Sequence, residues 1–408
     1  MLVTSLTQRL DYYKLTMAQF AHVYYPDVMV EYSLVNRTKS VNLLDWIDPE
    51  ELQRELDHAS TLRFDRDELK FMAERSLSDR KVFRADFIQS LRHLHLPEMQ
   101  VVTVDGHVDV VVKEKWPVAI YCETIVLSVV NQMYFQALMD AGMIDAETLF
   151  WEGKFRLDRK IDKLIAAGIG RKIIEFGTRR ALADLWLDFV DDHFNDRAPG
   201  VFLGTSNVRQ AIDHGYLIFG TYAHEMDMVL AALADSDEEM LAAHERLLDQ
   251  WWELYGYDLS IALSDTFGSK HFFATFGKER AAKWKGVRHD SGDAFEFGEM
   301  FITFCLSNGI DPKEKWIIFS DGLDVDMIIA LNQRFAGRIN IAFGWGTNLT
   351  CDIGFPTISL VMKAIAANGR KCVKLSDNLR KAIGPKAEID HYVKVYGYDN
   401  RAEAVCVY

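Results

Sequence analysis

Residues 216–225 read YLIFGTYAHE, an apolar run that stops at Gly220 and is followed within five positions by Tyr222, His224 and Glu225. Four or five apolar residues ending at a glycine read as a short buried strand and the turn after it. In barrel-type α/β folds the C-terminal end of each strand forms the catalytic rim, so His224 stands where chemistry is done. The competing reading makes His224 a structural hydrogen-bonder at a strand–helix junction, and the residues around it do not exclude that.

Working outward, six more runs have the same character: RKIIEF (171–176), GVFLGT (200–205), LSIALSD (259–265), WKGVRHD (284–290), WIIFSD (316–321) and INIAFGW (339–345). Stretches apolar at helical spacing lie between them, among them ALADLWLDFVDDHF (181–194) and the segment from Met226 to Leu254. Alternation of strand and helix argues for parallel strands. An open doubly wound sheet gathers its ligands at one switch point, whereas here nearly every strand ends in a polar or glycine-rich signature. A barrel is therefore expected, and seven strands instead of eight make it irregular.

Outside this region the pattern changes to α+β. The first 140 residues carry an extended run VMVEYSLVNRT, a helical stretch from Pro49 to Leu94 and a strand-like MQVVTVDGHVDVVVKE. The tail segments VKLS, HYVKVYGY and AEAVCVY look strand-rich but are too short for a core of their own, so they are expected to rejoin the N-terminal sheet. The expected architecture is an irregular seven-stranded α/β barrel over 141–365 and an α+β domain built from both termini, 1–140 with 366–408.

Composition narrows the function. The chain has 408 residues, 49% of them apolar, enough for a large core, and a net charge of -14 that disfavours nucleic acid as a partner. Its longest apolar stretch, Val118 to Leu138, is interrupted by Glu123, Asn131 and Gln132, and no signal peptide is evident, so a cytoplasmic protein away from membranes is expected. Five scattered cysteines without a CxxC pair support neither a zinc site nor a disulfide framework.

An anionic substrate would need a locally basic pocket, and the strand ends offer one. In VRHDSGD, Arg288 supplies a forked donor for phosphate oxygens, and Asp290 can accept from sugar hydroxyls or hold magnesium. The same residues read equally as a charged turn in which Ser291 or Asp290 caps the next helix. EFGTRRA places the Phe176 ring three residues from Arg179, a face for a flat heteroaromatic beside a cation. FSDGLD and FGWGTNL put Gly322, Gly344 and Gly346 at strand ends, where backbone amides can approach phosphate. Asp265, ending the next strand after His224, is a better orienter of the imidazole than Glu225. VDD at 190–192 looks like a solvated helix end.

The motifs LDYYKLTM, EYSLVNRT, EFGTRRA, GTSNV, GTYAHE, VRHDSGD, SDGLD and FGWGTNL occur in this order between about Leu10 and Lys363. As a set they resemble the bacterial nicotinate phosphoribosyltransferase family of type II phosphoribosyltransferases. The resemblance implies transfer of a phosphoribosyl group from phosphoribosyl pyrophosphate (PRPP) to nicotinate, with Mg2+ and coupled hydrolysis of ATP as co-substrate. It implies that His224 is transiently phosphorylated with Asp265 as its carboxylate partner. By the same resemblance Arg179 and Arg288 bind the anionic groups of PRPP, Asp290 and Asp321 its ribose or magnesium-bound portion, and Gly322, Gly344, Gly346 and Thr347 its terminal phosphate. Phe176 and Tyr13 would sandwich the base, Tyr13 arriving from the neighbouring subunit of a homodimer. Ser206 and Asn207 stand where nicotinamide-specific relatives keep an acidic residue, and an uncharged pair suits the carboxylate of nicotinate. Use of nicotinamide or quinolinate, or a phosphosugar-binding barrel without activity, are the alternatives.

Overall fold

The structure, a computed structural model, describes residues 1–398. By contacts the chain divides into two compact units, Met1–Gly220 with Trp345–Lys363, and Thr221–Gly344 with 364–398. The division falls at Gly220, Gly344 and Lys363, not at residues 140 and 365 as the composition suggested.

The first unit opens with α1 (Tyr12–Tyr24) and β1 (Met29–Asn36), followed by α2 (Pro49–Thr61), α3 (Arg66–Glu74) and α4 (Ala85–Arg92). Then come β2 (Gln100–Val104) and β3 (His107–Lys115), which pair antiparallel with each other, while β3 also pairs antiparallel with β1. Val108, Val110 and Val112 of β3 and Val30, Tyr32 and Leu34 of β1 are buried at alternate positions, so period-two patterning aims one face of each strand at a core. The helix α5 (Cys122–Asp140) belongs to the stretch Trp116–Asp140, which is long and apolar enough to cross a membrane, yet 89% of its most apolar window is buried inside the protein. It is a core helix, with even its polar Glu123, Ser128 and Asn131 buried.

After α6 (Ala146–Ala166) the unit turns to parallel β structure: β4 (Ile173–Glu175) and β5 (Phe202–Thr205) pair in parallel across α7 (Asp184–Arg197). All three residues of β4 are buried, as expected for a strand covered on both faces. α8 (Val208–His214) follows, its N-terminus capped by Asn207, whose Oδ1 accepts from the Gln210 amide at 3.0 Å.

The second unit alternates helix and strand: α9 (Glu225–Ala232), α10 (Asp237–Tyr255), β6 (Ile261–Leu263), α11 (Ser269–Lys283), β7 (Gly286–His289), α12 (Ala294–Ser307), β8 (Trp316–Phe319), α13 (Val325–Phe335) and β9 (Asn340–Trp345). β6 to β9 lie side by side in sequence order, every pair parallel, with Gly286 of β7 opposite Trp316 of β8 and Trp316 opposite Asn340 of β9. β10 (Leu360–Ala367) carries the chain across the division and pairs antiparallel with the short β11 (Arg370–Lys371); α14 (Lys386–Val395) ends the described chain.

The fold is thus mixed α/β, with a parallel and an antiparallel sheet, and three sequence expectations need correction. YLIFGTY, expected as one of seven strands, forms only a single bridge from Ile218 to Thr205, so six of the seven runs are strands. The reason is backbone geometry: Gly220 adopts φ +151, and a Cβ there would lie 2.8 Å from the backbone nitrogen of Tyr13. HYVKV, expected as strand, lies in α14, while AEAVCVY falls outside the described residues. Asp191 of VDD is not solvated but fully buried in α7. Cys122, Cys305, Cys351 and Cys372 are buried free thiols.

Candidate functional site

The expected site residues fall into two groups, one in each unit. In the second unit they converge on His224, which is 4% exposed and occupies the residue before α9. Its Nε2 lies 2.8 Å from Asp290 Oδ2 and 2.9 Å from Lys374 Nζ; its Nδ1 lies 3.0 Å from Thr266 Oγ1. Asp265, the expected orienter, is farther away, with Oδ1 at 3.7 Å from Nε2. Asp290, which the resemblance gave to ribose or magnesium, is the carboxylate nearest the ring in its place. The difference arises because Asp265 is turned toward Ser291, whose hydroxyl donates to Asp265 Oδ2, while Ser320 donates to Asp290 Oδ1 at 2.8 Å and fixes that carboxylate.

Three elements deliver these groups. β7 ends at His289, so Asp290 stands just past the end of a parallel strand. Thr266 follows β6 by three residues, and its carbonyl accepts the amides of Leu375 at 2.9 Å and Ser376 at 3.2 Å, which straps the 374–376 segment in place and delivers Lys374. Neither Ser291 nor Asp290 caps α12; Asp293 does, accepting from the Glu296 amide at 2.8 Å.

Charge shapes the cluster. Burial, reinforced by Lys374, lowers the pKa of His224 below its ordinary value, so the ring is neutral at neutral pH. Burial works to raise Asp290, but Arg288, His224 and Lys374 outweigh it and hold the carboxylate well below its usual range. Asp265 is likewise held down against burial by His224 and Lys374. Arg288 is half-buried with a buried Nε that makes no hydrogen bond, a donor left for an anion. Asp321 accepts from Lys381 Nζ at 2.5 Å, and Gly322 beside it has φ +57 with open space where a Cβ would stand. Gly344 is buried inside β9 instead of in the turn after it.

His224, Asp265 and Asp290 bring one nitrogen and two carboxylates within 4.8 Å of one another, the one such donor set among the described residues. The Lys374 ammonium already lies at the nitrogen of that set, so the set does not fit a resident metal.

In the first unit, Arg179 donates to the Tyr13 hydroxyl at 2.9 Å. This is the chain's own Tyr13, whereas the resemblance has the base-stacking Tyr13 arrive from a neighbouring subunit. Phe176 is half-buried, and Gly346, with Thr347 after it, lies against the Phe176 carbonyl. Buried Glu123 gathers three cations, Lys14 Nζ at 2.6 Å, Lys363 Nζ at 3.1 Å and Arg179 Nη1 at 3.9 Å, which hold it ionised against burial. Ser206 and Asn207 are both buried, Ser206 donating to Asp11 Oδ1 at 2.7 Å and Asn207 capping α8. Burial raises the pKa of Asp11 while Arg179 opposes it.

Sequence reasoning missed Lys374, Thr266, Asp227 and the Lys14–Glu123–Lys363 group. Lys14 lay inside the LDYYKLTM motif, and Lys374 inside VKLS, which was read only as a short strand.

Two domain models of one family match the chain in order: the nicotinate phosphoribosyltransferase N-terminal domain over residues 9–131 and the nicotinate phosphoribosyltransferase family over 171–400. Among solved structures, that of nicotinate phosphoribosyltransferase from Vibrio cholerae is 30% identical, with 98% of this chain and 94% of that chain covered and a TM-score of 0.87. That of nicotinate phosphoribosyltransferase from Porphyromonas gingivalis is 27% identical, covering 97% and 100%, with a TM-score of 0.85. A putative nicotinate phosphoribosyltransferase from Saccharomyces cerevisiae is 26% identical, covering 98% and 99%, with a TM-score of 0.84. With both domains matched over most of its length, and with the family's motifs brought to the clusters around His224 and Arg179, this chain belongs to the nicotinate phosphoribosyltransferase family.

Proposed function

We propose that the protein transfers the phosphoribosyl group of PRPP to nicotinate, giving nicotinate mononucleotide and pyrophosphate in NAD salvage, and that ATP hydrolysis is coupled to this through a phosphohistidine at His224. The observation that carries the reading is the arrangement of Arg288, Lys374 and a neutral His224 around Asp290, in a chain of this family.

Breaking the bond between C1 of the ribose and pyrophosphate leaves positive charge on the sugar and negative charge on the departing group. Arg288 and Lys374 are preorganised cations for the negative side, and Asp290 is an ionised carboxylate for the sugar side. The nicotinate nitrogen then bonds to C1. Magnesium, carried in with pyrophosphate or ATP, adds charge neutralisation when bound; no resident ligand set is assigned to it. Phe176 and Tyr13 offer faces for the pyridine ring, and Lys14, Lys363 and Arg179 around one ionised carboxylate leave the first-unit cluster net positive, which favours nicotinate over uncharged nicotinamide.

The ATP step places a phosphoryl group on His224, and ATP's free energy reaches binding if the modified ring changes the affinity for PRPP. We also read the Ile218 bridge as the remnant of a seventh barrel strand, and the protein as cytoplasmic. A homodimer remains part of this proposal, with the contact of Tyr13 to Arg179 made within one chain. Offering nicotinate, nicotinamide and quinolinate in parallel with PRPP and Mg2+, with and without ATP, tests the reading. Mononucleotide is expected from nicotinate; formation only from another base, or none from any, overturns it.

A further inference from the structure

The hydrogen bonds around His224 admit few proton arrangements, because Thr266 has a single hydroxyl hydrogen. Thr266 Oγ1 lies 2.8 Å from Asp227 Oδ2 and 3.0 Å from His224 Nδ1. Asp227 is completely buried in α9, and its other oxygen lies 2.6 Å from Nδ1 of His244 on α10, whose Nε2 makes no hydrogen bond. A carboxylate only accepts, so the Thr266 hydrogen goes to Asp227, and Oγ1 is left to accept from a hydrogen on His224 Nδ1.

The opposite tautomer, with the proton on Nε2, would let Nε2 donate to Asp290. It would also turn the Thr266 hydrogen toward Nδ1, leave Thr266 and Asp227 facing each other through lone pairs, and press the Lys374 ammonium against an N–H at 2.9 Å. That state satisfies two contacts and breaks two. With the proton on Nδ1, the Nδ1–Thr266, Thr266–Asp227 and Lys374–Nε2 bonds are made and the Asp290 contact is lost, its carboxylate facing a bare Nε2 at 2.8 Å with the Lys374 ammonium beside that nitrogen: three contacts satisfied and one broken. A doubly protonated ring also keeps the Nδ1 hydrogen, and burial together with Lys374 disfavours it. In both of the better arrangements, then, Nδ1 holds its proton and only Nε2 changes state.

We propose that Thr266 and Asp227, backed by His244, are positioning residues that hold the proton on His224 Nδ1 and make Nε2, beside Lys374, the nitrogen that takes the phosphoryl group; this rests on the phosphohistidine reading. The Nε2 lone pair forms a bond to the γ-phosphorus of ATP, the bond from that phosphorus to the bridging oxygen breaks, and its electron pair leaves with ADP. No proton need move. The ring gains a positive charge that Asp227 faces through the Thr266 hydroxyl, while Lys374 stands where the oxygens of the incoming group arrive.

Two readouts test this. Nitrogen NMR of protein labelled with 15N-histidine, with the His224 signals identified by their loss in His224→Asn, reports the resting tautomer without any turnover. A protonated Nδ1 and a bare Nε2 are expected at neutral pH; the reverse overturns the proposal. After incubation with ATP and Mg2+, alkaline hydrolysis distinguishes phosphate on Nε2 from phosphate on Nδ1, and Nδ1 overturns it. If no phosphohistidine forms at all, the parent reading falls, and the tautomer measured by NMR still decides the relay. Thr266→Val is expected to mix the tautomers and slow phosphorylation on the order of 10²-fold, with Thr266→Ser restoring both. A valine variant that folds normally and keeps the wild-type tautomer and phosphorylation rate would refute the role of Thr266.

Discussion

At the scale of single residues the account turns on His224 and Arg288. His224→Asn is expected to abolish acid-labile labelling from ATP and all ATP stimulation, while leaving slow ATP-independent synthesis, because the cations that hold PRPP remain. Labelling and initial rates with and without ATP check this; a variant that still responds to ATP returns His224 to a structural role. Arg288→Ala removes a buried donor without a partner and is expected to lower kcat/KM for PRPP by at least two orders of magnitude, about 3 kcal/mol, with the fold intact. Near-normal kinetics in a soluble variant would make VRHDSGD a turn and nothing more. Both residues were legible in the sequence because each lies at the end of an apolar run with recognisable glycine signals, although only the run with Arg288 forms a strand. Lys374 was not, since it meets His224 across 150 residues of sequence from a segment read only as a short strand. The exchange of Asp265 for Asp290 as the histidine's partner was equally hidden: both carboxylates end strands, and only the hydroxyls of Ser291 and Ser320 decide which one turns to the ring.

At the scale of elements, β4, β5 and α7 enclose carboxyl groups that favour their protonated form. Burial raises Glu175 to about 7, opposed by a hydrogen bond from Thr205, and burial with Glu175 beside it lifts Asp191 well above its ordinary value. A carboxyl whose folded pKa is raised stabilises the fold fully below its unfolded value near 4.5, and that contribution is lost as pH climbs toward 7. For Glu175 the loss amounts to as much as about 3 kcal/mol. Glu175→Gln is therefore expected to gain stability relative to wild type as pH rises from 4.5 to 7.5, read from denaturant unfolding at several pH values; a difference that stays flat with pH would contradict it. The cap of α8 gives a smaller expectation: Asn207→Ala should cost about 1 kcal/mol. Element types were largely readable from periodicity, as with the β2–β3 hairpin and α7. YLIFGTY failed because its apolar pattern is that of a strand while Gly220 bends the backbone away, and HYVKV failed because a short alternating run fits either one strand or two helical turns. The burial of Asp191 ran against the usual preference of carboxylates for water, which the sequence had followed.

At the scale of the whole molecule, Tyr13 accepts from Arg179 of its own chain, so inactive Tyr13→Ala and Arg179→Ala proteins, mixed under conditions where subunits exchange, are expected to show no restored activity. Recovery of activity in verified mixed oligomers would show that Tyr13 serves the neighbouring chain's site. A discontinuous domain was legible in the sequence, but its bounds were not: composition shifts near residue 140, whereas contacts regroup 345–363 with the N-terminal segment. The central claim, ATP-assisted phosphoribosyl transfer to nicotinate, is tested most directly by following labelled nicotinate into mononucleotide with PRPP and Mg2+, with ATP absent or present, while counting pyrophosphate released. The account predicts one pyrophosphate per nicotinate mononucleotide and a higher rate with ATP in wild type but not in His224→Asn. PRPP bound without any mononucleotide formed would contradict it.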